Sequence, residues 1–518
     1  MNSETGQAIP YITDVEYVAN YFPHQAPALM NYIAALNGYS GPRLDREFSY
    51  CELGCGKGLT SIALAAMYPK GQFVACDFNE AHVQHATAVA AAGKVANLKI
   101  LNRSFGAMLK EKLPKFDYIT LHGVWSWVPD AVRGEILAFL KAKLKPGGLV
   151  TVSYNALPGW AHLQPIRHMM QTYAASLPGD SIERVRQALA YVRHLAEHQA
   201  TFFTMNPAAA EHLKSIAQSD IHYVAHEYMT PHGDPFYFPQ VCAAMADADL
   251  AFAGNMGPEE NYADLSVKPE LLPLINTAPS RVVLETHRDF IANTRFRRDL
   301  YAAQPEMQRA PTLTLKSLEG IAFSLVYLPE ILPLQGTVGA IQFDLAPTEV
   351  AVRAVHRLLM QGPATARQIH EVLAPRTESE TVPFLQRLVL VRHIQPCPLP
   401  GNGGWTSLSS ALIEDAIREK KNQVMLPGGR AGTLFHFEMP FAAMLEATQR
   451  DMAPATAAAA AVLHRLRQAG YGLNIRTSEG TTAPGSDAQV QADLLALHAK
   501  LRDPASQEAR FLQLHGIV

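Results

Sequence analysis

The chain is poor in the residues that mark several protein classes. Its 518 residues include 5 cysteines, an odd and low number. Cys51, Cys55 and Cys76 are scattered among apolar strand positions, so no disulfide framework is expected and a reducing cytoplasm is the simplest setting. An excess of positive charge is also lacking. Lys and Arg number 44 against 47 Asp and Glu, and a net charge of −3 argues against a dedicated nucleic-acid binder. No apolar run reaches membrane-spanning length; the best candidate, Ile321 to Leu334, is broken by Pro329, Glu330 and Pro333. Met1 to Thr5 carries neither a basic nor an apolar stretch, so neither a signal peptide nor membrane insertion is expected. Tryptophan is scarce too, at 4 residues, which makes any clustering of it informative.

Against this background one run stands out, Glu52-Leu53-Gly54-Cys55-Gly56-Lys57-Gly58. It joins a short apolar stretch, Phe48 to Leu53, to a helical pattern from Thr60 to Tyr68, and Asp77 ends the next apolar stretch. Strand, glycine turn, helix and a following acid form the arrangement by which α/β sheets hold an adenosine-containing cofactor. Glycines let the backbone come close to the ligand, and Asp77 can accept hydrogen bonds from both ribose hydroxyls. A dinucleotide-binding turn needs glycine where Leu59 stands, and the G-K-[ST] ending of a phosphate loop is absent.

The alternation continues. Gln72 to Cys76, Leu98 to Leu101, Phe116 to Leu121 and Leu149 to Ser153 read as strands. Glu80 to Gly93 and Asp130 to Leu144 read as helices, the second stopped by Pro146-Gly147-Gly148. The pattern predicts an α/β fold with a doubly wound, Rossmann-like sheet whose ligand lies at the carboxyl ends of the strands. Those ends supply the candidate residues. Asp77-Phe78 closes the second strand. Ser104-Phe105 follows the third, with Phe105 either packed on a purine or part of the core. His122-Gly123-Val124-Trp125-Ser126-Trp127 follows the fourth and holds half of the tryptophans; their faces attract a methylsulfonium or an ammonium cation. Trp127 equally suits covering a sheet edge, and His122 suits either a general base or a core histidine. Ser153-Tyr154-Asn155 ends the fifth strand and turns polar groups toward the same cleft.

The turn E-x-G-x-G-x-G resembles the first motif of class I methyltransferases that use S-adenosylmethionine (SAM). Together with the run His122 to Val128 and the run Ser153-Tyr154-Asn155 through Pro158-Gly159-Trp160, it resembles one bacterial family. That family joins a class I methyltransferase to a methyltransferase regulatory domain and includes lysine methyltransferases of outer-membrane proteins. Tyr17, Tyr21-Phe22-Pro23 and Pro27 are similar to its N-terminal segment. His226-Glu227-Tyr228, Pro235-Phe236-Tyr237-Phe238, Asp289-Phe290 and Arg295-Phe296-Arg297-Arg298 extend the likeness to residue 303, beyond which it fades. Two departures are the missing acid near the purine and Cys76 before Asp77.

The motif and the resemblance imply SAM as cofactor, held by Glu52, Gly54, Cys55, Gly56, Gly58, Asp77, Phe78, Ser104, Phe105, His122 and Gly123, with Tyr21 closing over it. Trp125, Trp127 and Tyr154 are expected to line an apolar pocket for the acceptor, with Asn155 aligning it. The resemblance also implies a protein substrate, lysine first. A small-molecule or glycan O- or N-methyltransferase is the runner-up, with His122 as its base, and a SAM-binding sensor or scaffold is a third reading. Whether the chain forms a homodimer stays open.

The rest of the chain is less telling. Residues 1–46 read as a lid segment, 47–160 as the SAM-binding domain and 161–303 as a mainly helical regulatory domain. Within the last, Ser181 to Phe202 has apolar residues at helical spacing. His222 and His226 lie four apart with Glu227 adjacent, which on a helix could make a metal site, but no third ligand is fixed by the spacing and the HExxH order is missing, so no metal is expected. Arg288, Arg295, Arg297 and Arg298 alternate with Glu285, Asp289 and Asp299, as on a solvated or interface helix face more than an anion dock. After a linker at Gln304 to Thr312, residues 313–395 suggest a winged-helix-like module built from Thr348 to Gln361, Thr365 to Leu373 and Val382 to Ile394. It lacks the basic recognition helix that phosphate contacts require, so packing or partner recognition is expected and not DNA. Pro396 to Gly404 breaks the chain again, and 405–518 read as an accessory domain without assignable chemistry.

Overall fold

In the computed structural model, the structure describes residues 20–305, 312–328, 330, 333–338, 341–398, 404, 406–476 and 482–518. Tyr17 and much of the two predicted linkers lie outside the described residues.

A helix α1 (Pro27–Leu36) precedes the alternating region β1 (Phe48–Leu53), α2 (Leu59–Met67), β2 (Gly71–Asp77), α3 (Glu80–Ala92), β3 (Leu98–Asn102), α4 (Phe105–Lys110), β4 (Phe116–Leu121), α5 (Asp130–Lys143) and β5 (Leu144–Asn155). Local chemistry sets the helix starts. Gly58 in the left-handed region launches α2, the Asn79 side chain accepts from the Ala81 and His82 amides at the head of α3, and Ser104 caps α4. The Pro146-Gly147-Gly148 stop is displaced: α5 already ends at Lys143, and the three residues lie inside β5, where the pairing with β4 shifts register.

Helices α6 (Gln164–Ala174), α7 (Ser181–Glu197), α8 (Thr201–Met205), α9 (Pro207–Gln218) and α10 (Ile221–Met229) follow and share an apolar core of their own. Gln199, at φ +56°, ends the long helix expected to reach Phe202. Next come α11 (Phe238–Asp247), β6 (Ala251–Asn255), α12 (Ala263–Ser266), α13 (Leu272–Asn276), α14 (Arg281–Ala292) and β7 (Phe296–Ala302). The last two strands complete the first sheet, whose order is β3-β2-β1-β4-β5-β7-β6, with β7 antiparallel to both neighbours. The Rossmann-like sheet therefore does not end at residue 160; the stretch read as a helical domain supplies its last two strands.

Period-two burial gives the sheet two apolar faces. Phe48, Tyr50, Phe73 and Tyr118 face α1, while Cys51, Leu53, Ile119, Leu121, Val150 and Val152 pack with Phe139 and Met245 on the other side. The α1 face is covered further by β8 (Ala322–Leu325), α15 (Glu349–Leu359), α16 (Ala366–Val372) and α17 (Glu378–Leu390). Here β8 pairs antiparallel with the short strand Ala364–Thr365 and with Ile394–Cys397. A C-terminal unit then starts with α18 (Ser407–Arg418), which packs on α3, and its hairpin Gln423–Gly428 with Thr433–Glu438 approaches α2. Among the described residues, no helix is long and apolar enough to cross a membrane.

Candidate active site

The glycine turn stands at the carboxyl end of β1 and is fastened to β2. The Cys76 carbonyl accepts from the Gly54 and Cys55 amides, both at 2.9 Å. Asp77 Oδ2 accepts from the Gly56 amide at 2.8 Å and Oδ1 from the Asn79 amide at 2.9 Å. Gly56 has φ +54°, and a Cβ built there would meet nothing within 4 Å, so the turn borders open space. Gly54 is tight on its other side, where a Cβ would come within 2.6 Å of Val124. A carboxylate has about four lone-pair sites, so Asp77 keeps acceptor capacity for hydroxyl groups in that space. These features fit an adenosine-bearing cofactor.

Other predicted cofactor residues have more structural roles. Glu52 is buried and accepts from Ser61 Oγ of α2, bracing the turn from below; burial pushes its carboxyl up to about 7. The Cys55 thiol bonds the Gly56 carbonyl at 3.6 Å and is held protonated by burial. Phe78 is half-buried beside Asp77, and Ser104 Oγ accepts from the Ala107 amide as the cap of α4. Phe105 belongs to the core on the α5 side of the sheet, with its ring 3.7 Å from the position of a Gly54 Cβ.

At the end of β4, His122 Nδ1 lies 3.0 Å from Ser153 Oγ and 2.9 Å from His24 Nε2, and Ser153 Oγ accepts from the Gly123 amide at 2.9 Å. The Phe22 ring rests on His122 with centroids 3.8 Å apart. Burial and the charge of Arg298 lower the His122 pKa to about 3, and His24 is lowered by burial and by His122. Both imidazoles are neutral at pH 7. Ser153 was expected to face this cleft, but sequence reasoning missed His24 and gave Phe22 no role, because nothing local ties positions 22 and 24 to position 122. Tyr21 is placed differently from its expected role as a lid: it packs toward the α1 face, with its hydroxyl buried near Thr433. The N-terminal segment meets the site through Phe22 and His24.

The aromatic candidates divide. Trp125 is 2% exposed and packed in the core, its Nε1 without a hydrogen-bond partner. Tyr154 is 1% exposed and its hydroxyl donates to Asp299 at 2.7 Å. Neither lines a cleft. The physical reason is alternation along β5, which turns Ser153 toward His122 and Tyr154 into the opposite face. Trp127 is half-buried beneath the Arg167 guanidinium at 5.9 Å, and Asn155 is fixed by its amide bond to Ser126 Oγ at 2.9 Å.

The arginine cluster is only partly solvated: Arg295 is exposed and Arg298 half-buried, but Arg288 and Arg297 are buried. Arg297 is 2% exposed and binds Glu285, Asp289 and Asp299 at 3.2, 2.6 and 3.0 Å. Among the described residues, the group of acids and histidines close enough to share an ion is His85, Asp415 and Glu419, while His222, His226 and Glu227 do not converge. Glu419 is already paired with Lys57 at 2.7 Å and with Lys421 at 2.5 Å.

Comparison with known proteins agrees with this geometry. The family described as "Methyltransferase domain" matches residues 44–227, and "Predicted methyltransferase regulatory domain" matches residues 220–303. The chain is 30% identical over 437 residues to protein sll1526 of Synechocystis sp., covering 84% of this chain and 83% of the relative. The chain belongs to the SAM-dependent methyltransferases that carry a methyltransferase regulatory domain. This methyltransferase is also 26% identical over 160 residues to a trans-aconitate 2-methyltransferase of Methylobacterium radiotolerans, covering 31% of this chain and 56% of that one. Its fold matches PKMT2 from Rickettsia typhi in complex with AdoHcy at TM-score 0.72 and 18% identity, over 97% of this chain and 99% of the other. SAM is therefore its methyl donor, and membership in an enzyme family displaces the sensor or scaffold reading.

Proposed function

We propose that this methyltransferase modifies the side-chain amine of protein lysine. SAM, when bound, supplies a methyl group on a positively charged sulfonium. Asp77, Gly56 and the exposed Gly123 are the residues that would hold it, on the open side of the turn. What the chain must do for the acceptor is remove water and present a neutral nitrogen. A lysine amine has a free pKa of ~10.4, so neutralising it near pH 7.4 costs about 4 kcal/mol, which low-polarity surroundings reduce.

One observation carries the reading: the imidazole at the site, His122, is a weak base. Its pKa near 3 and its engagement by Ser153 and His24 suit it to hold the loop after β4 in place, and an amine acceptor asks for no stronger base. In support, the fold shared with PKMT2 runs through the accessory units as well as the sheet. We read residues 313–395 as a winged-helix-like unit for packing or for recognising the protein partner, and the cytoplasm as the place of reaction. The trans-aconitate likeness favours a second reading, a small-molecule or glycan acceptor, but it spans 31% of the chain and gives the accessory units no part.

The test is incubation of the protein with methyl-labelled SAM and a lysate of the source cells, followed by separation of macromolecules from small molecules. Label in protein is expected, with His122→Ala reducing but not abolishing it. Label confined to small molecules or glycans, abolished by His122→Ala, would instead establish the second reading.

A further inference from the structure

A buried polar pair lies next to the sheet ends. Asn155, the last residue of β5, is 4% exposed. Its backbone is pinned on both sides, its amide donating to Ser126 Oγ and its carbonyl accepting from the Phe236 amide, each at 2.9 Å. Its Nδ2 has no partner at full hydrogen-bond distance, a costly state for a buried donor, and the nearby carboxylate whose pKa it helps hold down against burial is that of Glu227. Its side chain faces the Glu227 carboxylate of α10. Glu227 is itself held by backbone: Arg167 donates to the carbonyls of Glu227 at 3.4 Å and His232 at 2.8 Å, and to that of Thr230. The guanidinium thus spends its hydrogen bonds on carbonyl oxygens and lies over the Trp127 ring.

We propose that Glu227 and Asn155 form the seat for the acceptor's ammonium group, selecting a primary amine at the end of an extended aliphatic chain. This deepens the lysine reading and rests on it. The chemistry matches: an ammonium offers three donors and no acceptor, and the carboxylate and the Asn155 carbonyl oxygen accept two of them. A purely apolar acceptor gives this pair nothing. Burial raises the Glu227 carboxyl to about 7 against the opposing pull of Arg167, so an arriving cation also recovers the charge that burial penalises. Arg167 is balanced in turn by Asp234, which lies 3.5 Å from Arg133.

The experiment uses the full chain saturated with S-adenosylhomocysteine. It is titrated by NMR with N-acetyl-lysine amide and with N-acetyl-norleucine amide, which keeps the aliphatic chain and lacks the amine. The wild type is expected to prefer the lysine probe roughly tenfold or more, the scale of a charge-assisted contact. Glu227→Gln should bind both probes equally, and Glu227→Asp should keep part of the preference. Absence of a preference in the wild type, or its survival in Glu227→Gln, would overturn the seat. The lysine reading fails separately: a wild type that prefers the lysine probe but labels no lysine in the lysate leaves the ammonium seat standing without it.

Discussion

Asp77 spends one oxygen on the Gly56 amide and the other on the Asn79 amide, so one carboxylate shapes the glycine turn on both sides and sits against the residue, Gly56, that borders open space. Asp77→Ala should therefore weaken SAM binding by about 2 kcal/mol, roughly thirtyfold in Kd, measured by calorimetry; an unchanged Kd would remove Asp77 from the site. Glu52 plays a different part, since its pKa is raised from 4.5 to about 7 in the folded chain. The native state keeps a proton that the unfolded chain releases between those values. Its contribution is thus fully present below pH ~4.5 and lost as pH rises through ~7. Denaturant titrations of Glu52→Gln should show a flatter dependence on pH across that window than the wild type. Trp125, read from sequence as a cleft residue, is core, and Trp125→Ala should cost stability by about 3–5 kcal/mol; a large drop in melting temperature is expected, and an unshifted one with lost turnover would return it to the site.

At the scale of elements, the glycine turn is tied to a distant part of the chain. Lys57, between Gly56 and Gly58, pairs with Glu419 just beyond α18, and His85 of α3 lies 2.9 Å from Asp415 of α18. Both Lys57 and Glu419 are largely shielded from solvent. Glu419→Ala should weaken SAM binding severalfold, with Lys57→Met giving a similar loss and the double variant no further one. Additive losses would mean that the pair does not act as a unit. The first five strands were legible because each is an apolar run closed by a turn signal, and Glu52 to Gly58 with Asp77 announced the ligand end. The last two strands were not, because Ala251–Asn255 and Phe296–Ala302 are separated from β5 by a helical stretch that hides their partner. The His122 environment was hidden for a related reason: Phe22 and His24 reach it across the fold. Tyr154 misled because a strand places successive residues on opposite faces, and nothing local says that Asp299 waits on the far one.

Over the whole molecule, the sheet is covered on its α1 face by residues from beyond the regulatory domain, and the C-terminal unit rests against α2 and α3. The units beyond residue 303 are therefore joined to the cofactor end through a shared apolar core and the Lys57–Glu419 pair. The most direct measurement is to map, by mass spectrometry, the atom that carries the label after the protein acts on its native lysate with methyl-labelled SAM. Methyl groups on lysine Nζ of protein, lost in Asp77→Ala, are the predicted result. Label on oxygen atoms or confined to small metabolites would contradict the account.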